Sequence, residues 1–155
     1  MKESDSFLEA QVRRKRGSRG QSSQDLVQEF LTEQKSKDQN FDFDRLYDTK
    51  SAGRILPAQV SDFTFCYKGR AGAIEVKETK HDYRISNSDF PQEPRLRRRA
   101  LAGALAILVV HHTTSGVWRL VQITAFSSPM EKSLDLSGVP THSTFKAVLW
   151  SAITC

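Results

Sequence analysis

Cysteine is nearly absent from this sequence, with Cys66 and Cys155 as the only two. That is too few for a disulfide framework, and neither has the spacing of a metal-ligand motif. Cys66 falls inside an apolar strand pattern, and a reducing cytoplasm is the simplest setting for such usage. Long apolar runs are missing as well. The longest, around Leu101–Val110, has the length of a strand or a helix end rather than of a membrane span. The first residues carry Lys2, Glu3 and Asp5 instead of a basic segment followed by an apolar one, so the N-terminus does not read as a secretory signal. No internal repeat is present, which argues against a solenoid. A chain of 155 residues is expected to form one domain with its own core.

What is present is positive charge, and it is clustered. The formal net charge is +5 and the pI about 9.4. Arg13, Arg14, Lys15, Arg16 and Arg19 form one dense patch, and Arg95, Arg97, Arg98 and Arg99 another. Two such patches on a small domain point to a polyanion, most often nucleic acid. Neither is flanked by an apolar face of Trp, Phe and Leu, so an acidic membrane surface is the weaker partner. The alternative is a solvated tail and a salt-bridged helix face.

Residues 1 to about 20 are polar, basic and punctuated by Gly and Ser, which predicts a tail that is mobile without a ligand, ahead of a single domain over 21–155. Ser22, Ser23 and Asp25 open a helical pattern carried by Leu26, Val27, Phe30 and Leu31, a Ser cap before an acidic first turn. Phe41, Phe43 and Arg45–Tyr47 alternate as a strand, followed by a polar loop over Asp48–Arg54. Val60–Tyr67 and Arg70–Lys77 read as strands joined by Lys68-Gly69. A helix near Gln92–Gly103 accommodates Pro94 only in its first turn. Ala104–Val110 and Gly116–Thr124 read as strands, Pro129–Pro140 as a loop, and Ser143–Ile153 as a closing helix with Phe145, Val148, Leu149 and Ile153 inward. The predicted order is α-β-β-β-α-β-β-α, an α+β fold with a mixed sheet flanked by helices.

Glu-x-Lys occurs at Glu33–Lys35, Glu75–Lys77 and Glu78–Lys80. Only Glu75 and Lys77 both lie in a strand pattern, where alternation puts them on one face and Ile74 and Val76 on the other. If Lys68-Gly69 is a two-residue turn, Tyr67 pairs with Arg70, and counting outward places Asp62 opposite Glu75. Directly opposed residues have Cβ atoms about 5 Å apart. Two acids at that separation repel each other, and a divalent cation between them removes the conflict. Asp62 and Glu75 are therefore candidate Mg²⁺ ligands, together with the Val76 carbonyl. The ion would polarise a scissile phosphate and acidify its bound water. Lys77 would position that water or stabilise developing negative charge. The alternative is an exposed strand face whose acids merely neighbour Lys77.

The run from Asp62-Phe63 through Tyr67-Lys68-Gly69-Arg70 to Glu75-Val76-Lys77-Glu78-Thr79-Lys80 resembles the core signature of RecU-type Holliday-junction resolvases, members of the PD-(D/E)xK nuclease superfamily. Weaker similarity continues through Ile85-Ser86-Asn87 to Gln92, and Ser18-Arg19-Gly20 is similar to the family's Arg-Gly lead into its first helix. The likeness covers about two thirds of the chain. It implies a restriction-endonuclease-like core and an Mg²⁺-dependent, homodimeric endonuclease, with Mn²⁺ able to substitute and no small-molecule cofactor. That enzyme would resolve four-way DNA junctions by paired symmetric nicks, in DNA recombination and repair. Besides the N-terminal cations, Lys68, Arg70, Lys80, Gln92, Arg97 and Arg98 are the expected DNA-binding residues. The setting is the cytoplasm of a bacterial or phage-infected cell, and the small, little-elaborated chain fits a phage-like member.

The chain departs from that family in two places. Where the family has a helical Glu at the metal site, four residues after the Gly, this sequence has Gln24, with Asp25 beside it. Gln24 has the matching spacing and is the expected contributor; Asp25 is the other candidate. The family's long stalk is also shortened to about Lys50–Ala58. Two other functions stay open: a nuclease of the same class acting on ordinary duplex, and a catalytically silent DNA-binding module. Among remaining residues, His111 and His112 have no third ligand spaced for a metal, so packing roles are expected. His81 could touch phosphate. Trp118, Phe145 and Trp150 sit on apolar faces and are expected in the core or a dimer contact.

Overall fold

The computed structural model describes residues 22–47, 59–124 and 132–155. The basic cluster Arg13–Arg19, the Ser18-Arg19-Gly20 lead, the loop Asp48–Arg54 and the short stalk lie outside these residues. Helix α1 spans Ser23–Lys37. Its cap is Ser22, whose hydroxyl accepts from the Asp25 amide at 3.2 Å, and Asp25 opposite Lys35 and Lys37 matches the helix dipole. Then come β1 (Phe41–Arg45), β2 (Phe63–Tyr67), β3 (Arg70–Thr79), the short β4 (Arg84–Ser86) and a 3₁₀ turn, Asn87–Asp89. Helix α2 (Glu93–Leu101), β5 (Leu105–His112), β6 (Val117–Ile123), β7 (Ser133–Asp135) and α3 (Lys146–Thr154) complete the order.

The main sheet runs β1-β2-β3-β5-β6, antiparallel throughout except for the parallel β3–β5 pair. Both residues of the β2–β3 turn have positive φ, Lys68 at 47° and Gly69 at 80°. This is the two-residue turn whose twist suits a tight hairpin. Tyr67 pairs with Arg70 and Phe63 with Ile74, which is the register counted from the sequence.

Alternation along the strands divides the core in two. On one face, Ile74 and Val76 of β3 and Ile107 and Val109 of β5 meet Val27, Phe30 and Leu31 of α1, Leu149 and Ile153 of α3, and Phe145 just ahead of that helix. On the other, Ala73, Ala106, Leu108 and Val110 meet Leu96 of α2, Phe90, Ile85 and Leu136. β5 is covered on both sides, as its unbroken apolar run requires. The α+β class and the mixed sheet flanked by helices are those predicted. The region expected to be a loop around residues 129–140 contains β7, which pairs with β4 in a separate two-stranded sheet. Three-residue strands are too short to show an alternation. Trp118 and Phe145 are buried, and Trp150 packs against the same cluster. Among the described residues, no helix is long and apolar enough to cross a membrane.

Candidate active site

β2 begins only at Phe63, so the ladder cannot supply a backbone partner for the Val76 amide on that side. The Asp62 side chain takes its place, with Oδ2 accepting from Val76 N at 2.8 Å. A buried amide must find a partner, and this need fixes the Asp62 carboxylate beside β3. The Asp62 carbonyl meanwhile accepts from the Leu46 amide at 2.8 Å, tying the start of β2 to the end of β1. Continuation of the hairpin register sets Glu75 across from Asp62.

Glu75 is only 1% exposed. Its Oε1 accepts from Lys77 Nζ at 2.8 Å, while Oε2 is buried without a hydrogen-bond partner. Burial, and after it the Asp62 charge, push the Glu75 carboxyl up to about 7, against the pull of Lys77. Asp62 is also raised, chiefly by burial, with the Val76 amide, Lys77 and Arg45 opposing. A charged group held this far from water needs a partner.

These groups open into a cavity of about 580 Å³ lined by Gln24, Arg45, Tyr47, Asp62, Glu75, Lys77, Gln92 and Arg95, among others. Gln24 reaches it from the first turn of α1, with Nε2 donating to Asp62 Oδ1 at 2.9 Å. Asp25 points elsewhere, pairing with Arg45 Nη1 at 2.8 Å, and that bond holds its carboxyl below the usual range. Gln92 lies at the N-terminus of α2 with its Oε1 buried and unpartnered. Among the described residues no group of three or more His, Cys, Asp or Glu could hold a metal ion. Asp62 and Glu75 are a pair, a number compatible with Mg²⁺, which takes one or two carboxylates and fills its shell with water and phosphate oxygens.

The remaining predicted residues are spread out. Lys68 and Arg70 sit at the hairpin turn, roughly 17 Å along β3 from Glu75 at about 3.3 Å per residue. Arg70 Nη1 donates to the Cys155 carbonyl at 2.5 Å. Lys80 is exposed just past β3, and Arg98 is exposed on α2. Arg97 is ion-paired with the buried Glu93 on the same helix. His81 is exposed, and its carbonyl accepts from His112 Nδ1 at 2.7 Å. His112 is buried, with Nε2 2.9 Å from Arg119 Nη1, and His111 stacks on Trp118 at 4.0 Å. Both histidines therefore pack rather than cluster as ligands.

Arg45 and Arg95 line the cavity but were not among the candidate site residues read from the sequence. Arg95 belongs to a basic run whose inward member could not be chosen without the helix phase. Arg45 pairs with Phe63, one residue from Asp62, and only the β1–β2 register reveals that adjacency.

No family model matches the chain, and no curated protein matches it. Among solved structures, the chain is similar to Hjc of Archaeoglobus fulgidus, a Holliday junction resolvase from an archaeal hyperthermophile. The TM-score is 0.47 and the identity 19%, over 72% of this chain and 86% of that one.

Proposed function

We propose that this chain is an Mg²⁺-dependent, structure-selective DNA endonuclease that resolves four-way junctions by paired symmetric nicks. The observation that carries the reading is Glu75, a buried carboxylate with one oxygen on Lys77 and the other unpartnered, opposite a second acid in an open cavity. Such a pair is destabilising alone, and a divalent cation relieves it. Asp62, Glu75 and the Val76 carbonyl would hold the ion. Mg²⁺, when bound, supplies Lewis-acid polarisation of the phosphate and a more acidic water, and Mn²⁺ can serve in its place.

The protein's own groups complete the site. Lys77 keeps Glu75 oriented and places its ammonium where negative charge develops on the phosphate. Gln24 orients Asp62. Gln92 and Arg95 line the same cavity from α2 and offer donors to phosphate oxygens. Lys80, Arg97 and Arg98 extend the contact, and Lys68 and Arg70 would meet a more distant stretch of a DNA arm. The cations Arg13, Arg14, Lys15, Arg16 and Arg19, in a basic segment over 1–20 ahead of the nuclease domain over 21–155, add sequence-independent affinity. The junction reading, over cleavage of ordinary duplex, is supported by the likeness of the Tyr67-Lys68-Gly69-Arg70 turn and the Glu75–Lys80 run to RecU-type resolvases. Paired nicks require a C₂ homodimer with one site per subunit. The scarcity of cysteine favours a cytoplasmic setting.

The test is by substitution. Asp62→Asn, Glu75→Gln and Lys77→Ala should each abolish junction cleavage while leaving junction binding near wild type, because affinity comes chiefly from phosphate contacts. Near-wild-type cleavage by any of the three would refute the assignment.

A further inference from the structure

The Gln24 side-chain amide lies between two groups of opposite hydrogen-bonding character. Its Oε1 accepts from Arg45 Nη2 at 3.3 Å, and its Nε2 donates to Asp62 Oδ1 at 2.9 Å. A guanidinium has only donors and an ionised carboxylate only acceptors. Rotating the amide by half a turn would therefore set donor against donor and acceptor against acceptor, replacing two bonds by two repulsions.

Arg45 is itself held in place. Its Nη1 donates to Asp25 Oδ1 at 2.8 Å and to Gln28 Oε1, so with Gln24 it collects three side chains from the first two turns of α1. The guanidinium lies over the rings of Tyr47, at 5.2 Å, and Phe63, at 6.0 Å. The side chain is 18% exposed, and β1 anchors its backbone opposite Phe63.

We infer that Arg45 is a positioning residue that fixes Gln24 as a hydrogen-bond donor to Asp62. It thereby denies the Gln24 carbonyl to any cation in the site. Asp62 is then oriented on both oxygens, by Gln24 on Oδ1 and by the Val76 amide on Oδ2. The acids facing a cation are Asp62 and Glu75. Asp25, which would be a third, is occupied by Arg45. The consequence toward a metal rests on the nuclease reading, whereas the amide orientation does not.

The two parts are tested separately on the full chain without DNA. In metal-free, ¹⁵N-labelled protein, the Gln24 side-chain NH₂ should give signals protected from solvent exchange. Those signals should move to free-amide behaviour in both Arg45→Met and Asp62→Ala. Signals unchanged by Arg45→Met would overturn the inference. Mg²⁺ titration by calorimetry then reads the consequence. Arg45→Met should tighten Mg²⁺ binding by about three- to tenfold, the fold-change of one net polar contact, because the freed amide can turn its oxygen inward. Removing a nearby cation also tightens binding by charge alone, so the comparison is made in a Gln24→Leu background. There only the part of the gain due to charge should remain; a gain of equal size would overturn the inference. Thermal unfolding checks each variant, and Arg45→Gln serves where Arg45→Met does not fold. Absence of Mg²⁺ binding in the wild type would overturn the metal reading, while the amide signals still decide the role of Arg45.

Discussion

Asp62 takes the Val76 amide at 2.8 Å just ahead of the first residue of β2, so one carboxylate serves both the edge of the ladder and the site. The two roles separate by substitution. Asp62→Asn keeps an acceptor for the Val76 amide but turns an NH₂ toward the Gln24 donor, so it should lose less stability than Asp62→Ala while losing cleavage. Asp62→Ala leaves a buried amide without a partner and should lose about 1–3 kcal/mol. Urea unfolding of the two variants beside the wild type gives the comparison, and equal midpoints for Ala and Asn would contradict this role.

Glu75 makes stability depend on pH with a definite sign. Its carboxyl is raised from 4.5 to about 7, chiefly by burial, so folding favours the protonated form. That advantage is complete below the unfolded value and is lost as pH rises through about 7. Metal-free protein should therefore be less stable at pH 8 than at pH 5, by roughly 2–3 kcal/mol from this group. Glu75→Gln should remove that part of the slope. Denaturant midpoints at the two pH values, with chelator present, would show it; an identical slope in Glu75→Gln would count against the burial argument.

The first turn of α1 is fastened to the sheet by Ser23. Its amide and hydroxyl both donate to Glu78 Oε1, at 2.8 and 2.6 Å, and the hydroxyl lies 2.7 Å from His111 Nδ1. This attachment sits next to Gln24 and holds the Glu78 carboxyl below its usual range. Ser23→Ala should lower stability by about 1–2 kcal/mol and also reduce cleavage, since Gln24 loses its anchored neighbour. Unfolding and single-turnover cleavage measure the two effects.

The β2–β3 hairpin was legible because Lys68-Gly69 allows only a short turn and strand alternation then fixes every partner, Asp62 opposite Glu75 included. The Ser22 cap of α1 and the Pro94 position in the first turn of α2 were readable for the same local reason. Arg45 was not, because its neighbour Asp62 lies across a strand pair whose register depends on the connection through residues 48–58. β4 and β7 were missed because three residues carry no period. The orientation of the Gln24 amide was beyond the sequence too, since it is set by a guanidinium from another strand. The helical spacing could favour Gln24 over Asp25, but not say which end of its amide faces Asp62.

The N-terminal cations predict a salt effect. Each phosphate contact adds about 0.9 to the log–log slope of binding against salt on duplex DNA. Deleting residues 1–17 removes Arg13, Arg14, Lys15 and Arg16 and should flatten that slope while leaving Mg²⁺ binding unchanged. Fluorescence anisotropy across a salt series gives the slopes, and equal slopes would remove this segment from the interface.

The most direct measurement sets a labelled four-way junction against a linear duplex of matched sequence, each incubated with the protein in Mg²⁺ or in chelator. The account predicts paired, symmetric nicks in the junction with Mg²⁺, none with chelator, and little cleavage of the duplex. Equal cleavage of both substrates, or junction binding without cleavage in Mg²⁺, would contradict it.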